Sequence, residues 1–126
     1  MLSILWAKGV DAGEEYGKRI PALFIHKSGF LHLSSSISGN WNYYFNFNYV
    51  INKKYKYEII QVADSSNVIT FTVKVDGVVR FGPVVNTQPT LFEEAYLYVS
   101  EPYEPSHSAF GYAALTNLCV TNLHHF

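Results

Sequence analysis

The chain is poor in charge. Lys, Arg, Asp and Glu make up 15% of its 126 residues, and nine basic against ten acidic side chains leave a formal charge of −1. That balance generates no long-range field to gather nucleic acid or an anionic membrane surface. No apolar run is long enough to cross a bilayer, and Met1-Leu2-Ser3-Ile4-Leu5-Trp6 lacks the basic end and long apolar stretch of a secretory signal. The expectation is therefore no nucleic-acid partner and no membrane insertion. Cysteine occurs once, at 119, so no disulfide forms within the chain and the redox compartment is not fixed by it. A buried apolar thiol is the expectation for Cys119, with pairing to a cysteine outside this chain as the alternative. The absence of any Asn-x-Ser/Thr site weighs mildly against secretion.

Aromatic residues are abundant at 17%, with ten Tyr and nine Phe, and this favours strands over helices. The length suits a single soluble domain over residues 1–126, with excision from something larger left open. Along the chain the dominant period is two, and Gly, Asn, Asp, Ser and Pro fall at intervals that suit short strands. Ile4 to Lys8 reads as a first strand, followed by a polar loop from Gly9 to Glu15. Ala22 to His26 and Phe30 to Ser34 form a hairpin across Lys27-Ser28-Gly29, with glycine where a three-residue turn needs a left-handed backbone. In that register His26 faces Phe30, His32 faces Phe24, and Leu23, Ile25, Leu31 and Leu33 share an apolar face.

Trp41 to Ile51 is the most regular strand, alternating Trp41, Tyr43, Phe45 and Phe47 with Asn42, Tyr44, Asn46 and Asn48. Tyr55 to Ala63 and Val68 to Val75 follow, separated by an Asp64-Ser65-Ser66-Asn67 turn. Asp76-Gly77 signals a tight hairpin into Val78 to Phe81, because both turn positions take positive φ. That register puts Arg80 on the face of Val73 and Phe71, so either a bulge intervenes or Arg80 sits at the strand's open end. Phe92 to Ser100 and Phe110 to Val120 bring the total to about nine strands, with a proline-bearing loop between them. Such a set is satisfied by two antiparallel sheets face to face, an all-β sandwich of jelly-roll type. A sheet edge left uncovered near the first strand would invite a homodimer.

Three segments carry a resemblance: Tyr55-Lys56-Tyr57-Glu58-Ile59-Ile60-Gln61, Phe71-Thr72-Val73-Lys74-Val75-Asp76-Gly77, and Ala95-Tyr96-Leu97-Tyr98-Val99-Ser100-Glu101-Pro102-Tyr103. They resemble the second half of a concanavalin A-like domain of the laminin-G or pentraxin type. Ala113-Ala114-Leu115-Thr116-Asn117-Leu118 is similar to the closing strand of that group, and Ser3-Ile4-Leu5-Trp6 to its early strand. The resemblance implies a curved two-sheet jelly roll, an extracellular setting, and one of three uses: glycan binding, adhesion to another protein, or polysaccharide cleavage. Fold alone does not choose among them. The alternating acidic triplet of the glucanases has no counterpart, and Asn46-Phe47-Asn48 keeps only the amides of the galectin His-x-Asn-x-Arg strand. Calcium, used by some branches, needs several oxygen ligands near the rim, and Asp occurs only at 11, 64 and 76. No cofactor is expected.

Chemistry read from the residues themselves points away from catalysis. Glu93 and Glu94 are adjacent and so project to opposite faces, while Glu101 and Glu104 fall in a loop, so neither pair flanks a cleft as a glycosidase requires. His26 and His32 share a face but diagonally, at about 7 Å between β-carbons, which is long for two metal ligands without a third. With the odd aromatic residues of the Trp41 strand inward, Asn42, Tyr44, Asn46 and Asn48 project outward, and amides both donate and accept toward sugar hydroxyls. Glu94, Tyr96 and Tyr98 take the outer face of their own strand, where a tyrosine ring can lie under a sugar and its hydroxyl can hydrogen-bond. His26 and His32 extend the same surface. The expectation is a non-catalytic module with a carbohydrate-binding sheet face; an extracellular adhesion or assembly domain is the alternative and a glycoside hydrolase the outsider.

Overall fold

The computed structural model describes residues 1–9, 16–89, 92, 94–100 and 113–120. Among them are eight strands and no helix: β1 (Leu2–Gly9), β2 (Ala22–His26), β3 (Phe30–Ile37), β4 (Asn40–Asn48), β5 (Tyr57–Ala63), β6 (Ile69–Val75), β7 (Val78–Val85) and β8 (Ala95–Tyr98). They form two antiparallel sheets, one of five strands in the order β4-β3-β2-β1-β8 and one of three in the order β5-β6-β7. Neighbours in each sheet are consecutive in the chain except β8, which returns to pair with β1. The expected strand from Phe110 to Val120 is corrected: within the described residues 113–120, only Ala113 makes an isolated bridge. The polar loop at 10–15 and the proline-bearing loop at 101–108 lie outside the described residues.

Turn chemistry sets the two clearest hairpins. Gly29, at φ 90°, donates its N–H to the His26 carbonyl and closes the three-residue turn, which places His26 opposite Phe30 and His32 opposite Phe24. Asp76 and Gly77, at φ 51° and 81°, reverse the chain between β6 and β7. Two residues on, Lys74 pairs with Val79 while Val73 pairs with Phe81, so Arg80 is the extra residue of a bulge. The guanidinium released from the ladder lies 5.1 Å above the Phe47 ring. A second irregularity follows at Gly82-Pro83.

Between the sheets, Leu5, Leu23, Leu31, Leu33 and Ile37 meet Phe71 and Val73, with Tyr43, Tyr57, Ile59 and Phe81 packed around them. Each fully buried side chain of this size contributes about 1.5–3 kcal/mol relative to exposure. A bulge in β1 explains its apolar run. The register jumps between Ser3↔Phe24 and Leu5↔Leu23, so Ile4 and Leu5 both turn into this core and Trp6 turns away from it. An Asn86 amide fastens the sheets together: its Oδ1 accepts from the Ser38 and Gln88 N–H groups and its Nδ2 donates to Gln61 Oε1. Ser38 adds a hydroxyl bond to the Val85 carbonyl.

Candidate outer face of the five-stranded sheet

The face of the large sheet turned away from the core has a buried centre of its own. Trp6, Ala22 and Phe24 pack there with Tyr98 against them, and the Trp6 and Phe24 rings meet edge to face at 5.2 Å. Residues 16–21 continue the line of β2 between β1 and β3, held by backbone bonds from Ala7 to Pro21, Ile20 to Ala7 and Ser36 to Arg19. The indole N–H of Trp6 donates to the Lys18 carbonyl. Arg19 then lies between three rings, its guanidinium carbon 5.3, 5.0 and 4.8 Å from the centroids of Trp6, Phe24 and Trp41. It donates to Ser34 Oγ and Asn42 Oδ1.

Trp41 is a correction. Strict alternation predicts it inward with Tyr43, Phe45 and Phe47, but the β3–β4 register shifts between Ser35↔Tyr43 and Ile37↔Asn40. The extra residue brings Trp41 and Asn42 together onto Arg19. Ser34, Ser35 and Ser36 are buried on β3 beside this segment: Ser36 Oγ accepts from the Gly17 N–H, and Ser35 Oγ donates to the Arg19 carbonyl. Arg19 and this serine run carry no sequence signal of a binding residue. Three consecutive small hydroxyls inside a strand, where large apolar groups would be expected, are the one trace of the segment bonded beside it.

All the residues expected to bind that lie in strands sit on this face, though not in one cluster. Across β2, β3 and β4 the pairs His26↔Phe30↔Asn48 and Phe24↔His32↔Asn46 lie side by side, and Ser34 pairs with Tyr44. The His26 and Phe30 rings stack at 4.4 Å with planes 11° apart, and His26 Nδ1 accepts the Ser28 N–H. His32 is only 7% exposed, its Nδ1 2.7 Å from Asn46 Oδ1 and its ring 5.0 Å from that of Tyr44. Tyr44, Asn46 and Asn48 are exposed beside them. Asn42 differs from them because its amide oxygen is already engaged by Arg19.

Tyr96 and Tyr98 lie on β8, opposite Lys8 and Trp6 of β1, with their rings 6.2 Å apart. Tyr98 is half-buried on Trp6 and Phe24, whereas Tyr96 is 51% exposed. Since β4 and β8 are opposite edges of the sheet, about 19 Å separates the tyrosine pair from the amide row at the usual strand spacing. Glu94 is exposed just before β8. The expected single surface is thus two groups on one face, with the Arg19 side chain and its three rings between them.

The remaining polar chemistry is mostly structural. Asp64 Oδ1 accepts the N–H groups of Ser66 and Val68 within its own turn, and Asp76 Oδ1 accepts that of Lys56. Glu58 lies 3.7 Å from Lys56 on the other sheet. Burial between Tyr55 and Asp76 is felt at Tyr57, where desolvation first, then those two neighbours, pushes the phenol up to about 12. Among the described residues no three His, Cys, Asp or Glu side chains gather as a metal site, and no helix is long and apolar enough to cross a membrane. Cys119 is exposed, which corrects the expected buried thiol: its segment forms no strand to cover it. Glu93, Glu101 and Glu104 lie outside the described residues. A cavity of about 110 Å³ between the sheets, lined by Pro21, Ser35, Ile59, Gln61 and Phe71, is well below the roughly 300 Å³ of the smallest usual ligand pockets. No family model, curated protein or solved structure matches the chain.

Proposed function

We propose that this domain is a non-catalytic carbohydrate-binding module of concanavalin A-like, jelly-roll type, working outside the cell. The observation that carries the reading is the row of exposed Tyr44, Asn46 and Asn48 on β4, flanked by His32 and the stacked His26–Phe30 pair. An exposed ring beside two amides offers one apolar surface for a sugar face and several donors and acceptors for its hydroxyls. The neighbouring His32 holds Asn46 by a hydrogen bond and Tyr44 by a ring contact before a ligand arrives, which limits the ordering entropy lost on binding. Tyr96, with Tyr98 and Glu94, supplies a second station suited to a distant residue of an extended glycan. Asp64 and Asp76, occupied in their turns, and Glu58, beside Lys56 on the other sheet, support a role without acid–base chemistry.

The test is binding of the purified domain to a broad glycan array with and without calcium. A hit weakened by loss of the Asn48 amide supports the reading. Silence in both conditions favours the second reading, a module for adhesion to another protein. That alternative is favoured by the outer face of the small sheet, where exposed Val62, Val79 and Val85 surround Thr70 and Lys74.

A further inference from the structure

Three connections meet at the end of the sandwich where β2, β4 and β6 finish: the turn 27–29, the segment 49–56 and the Asp76-Gly77 turn. The middle one is bonded to both neighbours. Tyr49 donates its N–H to the Gly29 carbonyl and its hydroxyl to the His26 carbonyl, while the Asp76 N–H donates to the Lys56 carbonyl and the Lys56 N–H to Asp76 Oδ1. Within the segment the Val50 N–H donates to the Tyr55 hydroxyl, and the Val50 carbonyl accepts from Lys53 across Asn52, which takes a left-handed backbone at φ 62°. This bonded turn nevertheless holds its two apolar residues in solvent. Val50 is 63% exposed and Ile51 79%, the highest value among the described large apolar side chains. Exposed Lys53, Lys54 and Lys56 lie in the same segment, Lys27 in the adjoining turn and Arg80 at the bulge of β7. The described acids at this end are Asp76, bonded to the Lys56 N–H, and Glu58, beside the Lys56 ammonium; Asp64 and Glu94 lie toward the other end. The formal charge of −1 predicts no field for an anionic surface, but it averages over this uneven distribution.

We propose that this end of the domain docks on a lipid bilayer with anionic headgroups, Val50 and Ile51 entering the headgroup boundary while Lys27, Lys53, Lys54 and Lys56 meet the lipid phosphates. Burial of apolar side chains and attraction to anionic lipid add together in such a contact. Lysine suits it, because its stem lies along apolar surface while the ammonium stays at headgroup level. The composition of the tip selects lipid over a protein partner: two apolar side chains ringed by lysines fall far short of the roughly 800 Å² per partner of a standard protein interface, where lysine is depleted. A soluble polyanion would use the lysines and leave Val50 and Ile51 without a role. Since the strands run into this end, docking stands the sheets on the bilayer and leaves the outer face of the five-stranded sheet open. The contact does not depend on glycan binding.

Co-sedimentation of the whole chain with vesicles tests this, one set of phosphatidylcholine alone and one of phosphatidylcholine mixed in equal parts with phosphatidylglycerol. Neither set holds carbohydrate, so the outcome is separate from that of the glycan array. The expected result is pelleting with the mixed vesicles only, weakened by added salt as the screening length shortens to about 3 Å at 1 M. Ile51→Asp and the double variant Lys53→Gln/Lys54→Gln are each expected to lower vesicle affinity about tenfold or more at unchanged Tm. If either fails to fold, Ile51→Cys in a Cys119→Ser background, carrying an environment-sensitive fluorophore, decides. Its emission is expected to shift to the blue with mixed vesicles and to hold its position with heparin, a soluble polyanion. A wild-type chain that ignores the mixed vesicles or pellets equally with both sets, folded variants that bind as the wild type does, or a label shift that is absent with vesicles or equal with heparin would overturn the proposal.

Discussion

The buried His32 ring and the exposed Asn46 amide share one hydrogen bond, 2.7 Å from Nδ1 to Oδ1, and it couples the candidate binding row to the sheet beneath. With the amide oxygen as acceptor, the His32 proton sits on Nδ1. Two asparagines that look equivalent in the sequence therefore have different roles. Asn46→Ala strands a buried ring nitrogen and is expected to lower stability by about 1–3 kcal/mol, visible as a lower Tm in thermal unfolding. Asn48→Ala, exposed at the same face, is expected to leave Tm within about 1 °C, in keeping with a surface change of a few tenths of a kcal/mol at most. Equal Tm values for both variants would show that the His32 bond contributes nothing.

The Arg19 side chain ties the 16–21 segment to the rings of Trp6, Phe24 and Trp41. Arg19→Ala removes three ring contacts and the bonds to Ser34 and Asn42, with an expected loss of about 2–3 kcal/mol. Arg19→Lys should recover only part of it, because an ammonium lacks the planar fork that lies among the rings while reaching two acceptors. Denaturant unfolding of both variants checks this, and full recovery by lysine would reduce the site to simple charge.

Glycines at the two ends of β7's irregular course differ in what holds them. A Cβ added at Gly77 meets no atom within 4 Å, so Gly77→Val acts through its positive φ alone, at about 1–2 kcal/mol. A Cβ on Gly82 runs into the Phe71 carbonyl oxygen and the chain's own backbone. Gly82→Ala is therefore expected to be the more damaging despite the smaller side chain. Comparison of their unfolding midpoints measures the difference, and the reverse order would contradict this account of the bend.

Stability should fall at high pH through Tyr57. Its phenol ionises near 10 in the unfolded chain and about 12 in the folded one, so between those values the unfolded state binds fewer protons and gains relative to the native state. The contribution is whole below pH 10 and lost as pH rises through 12. Tyr57→Phe should flatten the decline in that window, read from unfolding midpoints alongside tyrosinate absorbance. An unchanged slope would place the titration elsewhere.

Local signals made much of the fold legible. Gly29 and Asp76-Gly77 mark turns by the backbone they permit, and parity around them fixes which leucines face inward; the same parity exposed Arg80 as a misfit, which the bulge resolves. Alternation misplaces Trp41 because a bulge opposite Ser36 leaves no mark on the pattern that surrounds it. The pairing of β8 with β1 joins residues far apart in the chain, and no local pattern encodes such a partner. For the same reason the amide row was legible as a row, but its separation from Tyr96 by the width of the sheet was not. Arg19 bears no mark in the sequence because its importance comes from Trp6, Phe24 and Trp41, which meet only in the folded sheet.

The central claim, recognition of carbohydrate on the outer face of the five-stranded sheet, is tested most directly by side-by-side glycan-array binding of the wild-type chain, Asn48→Ala and Tyr44→Ala. The account expects a specific hit with the wild type and at least a tenfold loss with each variant at unchanged Tm. No hit for the wild type, or a hit that both variants retain in full, would contradict it.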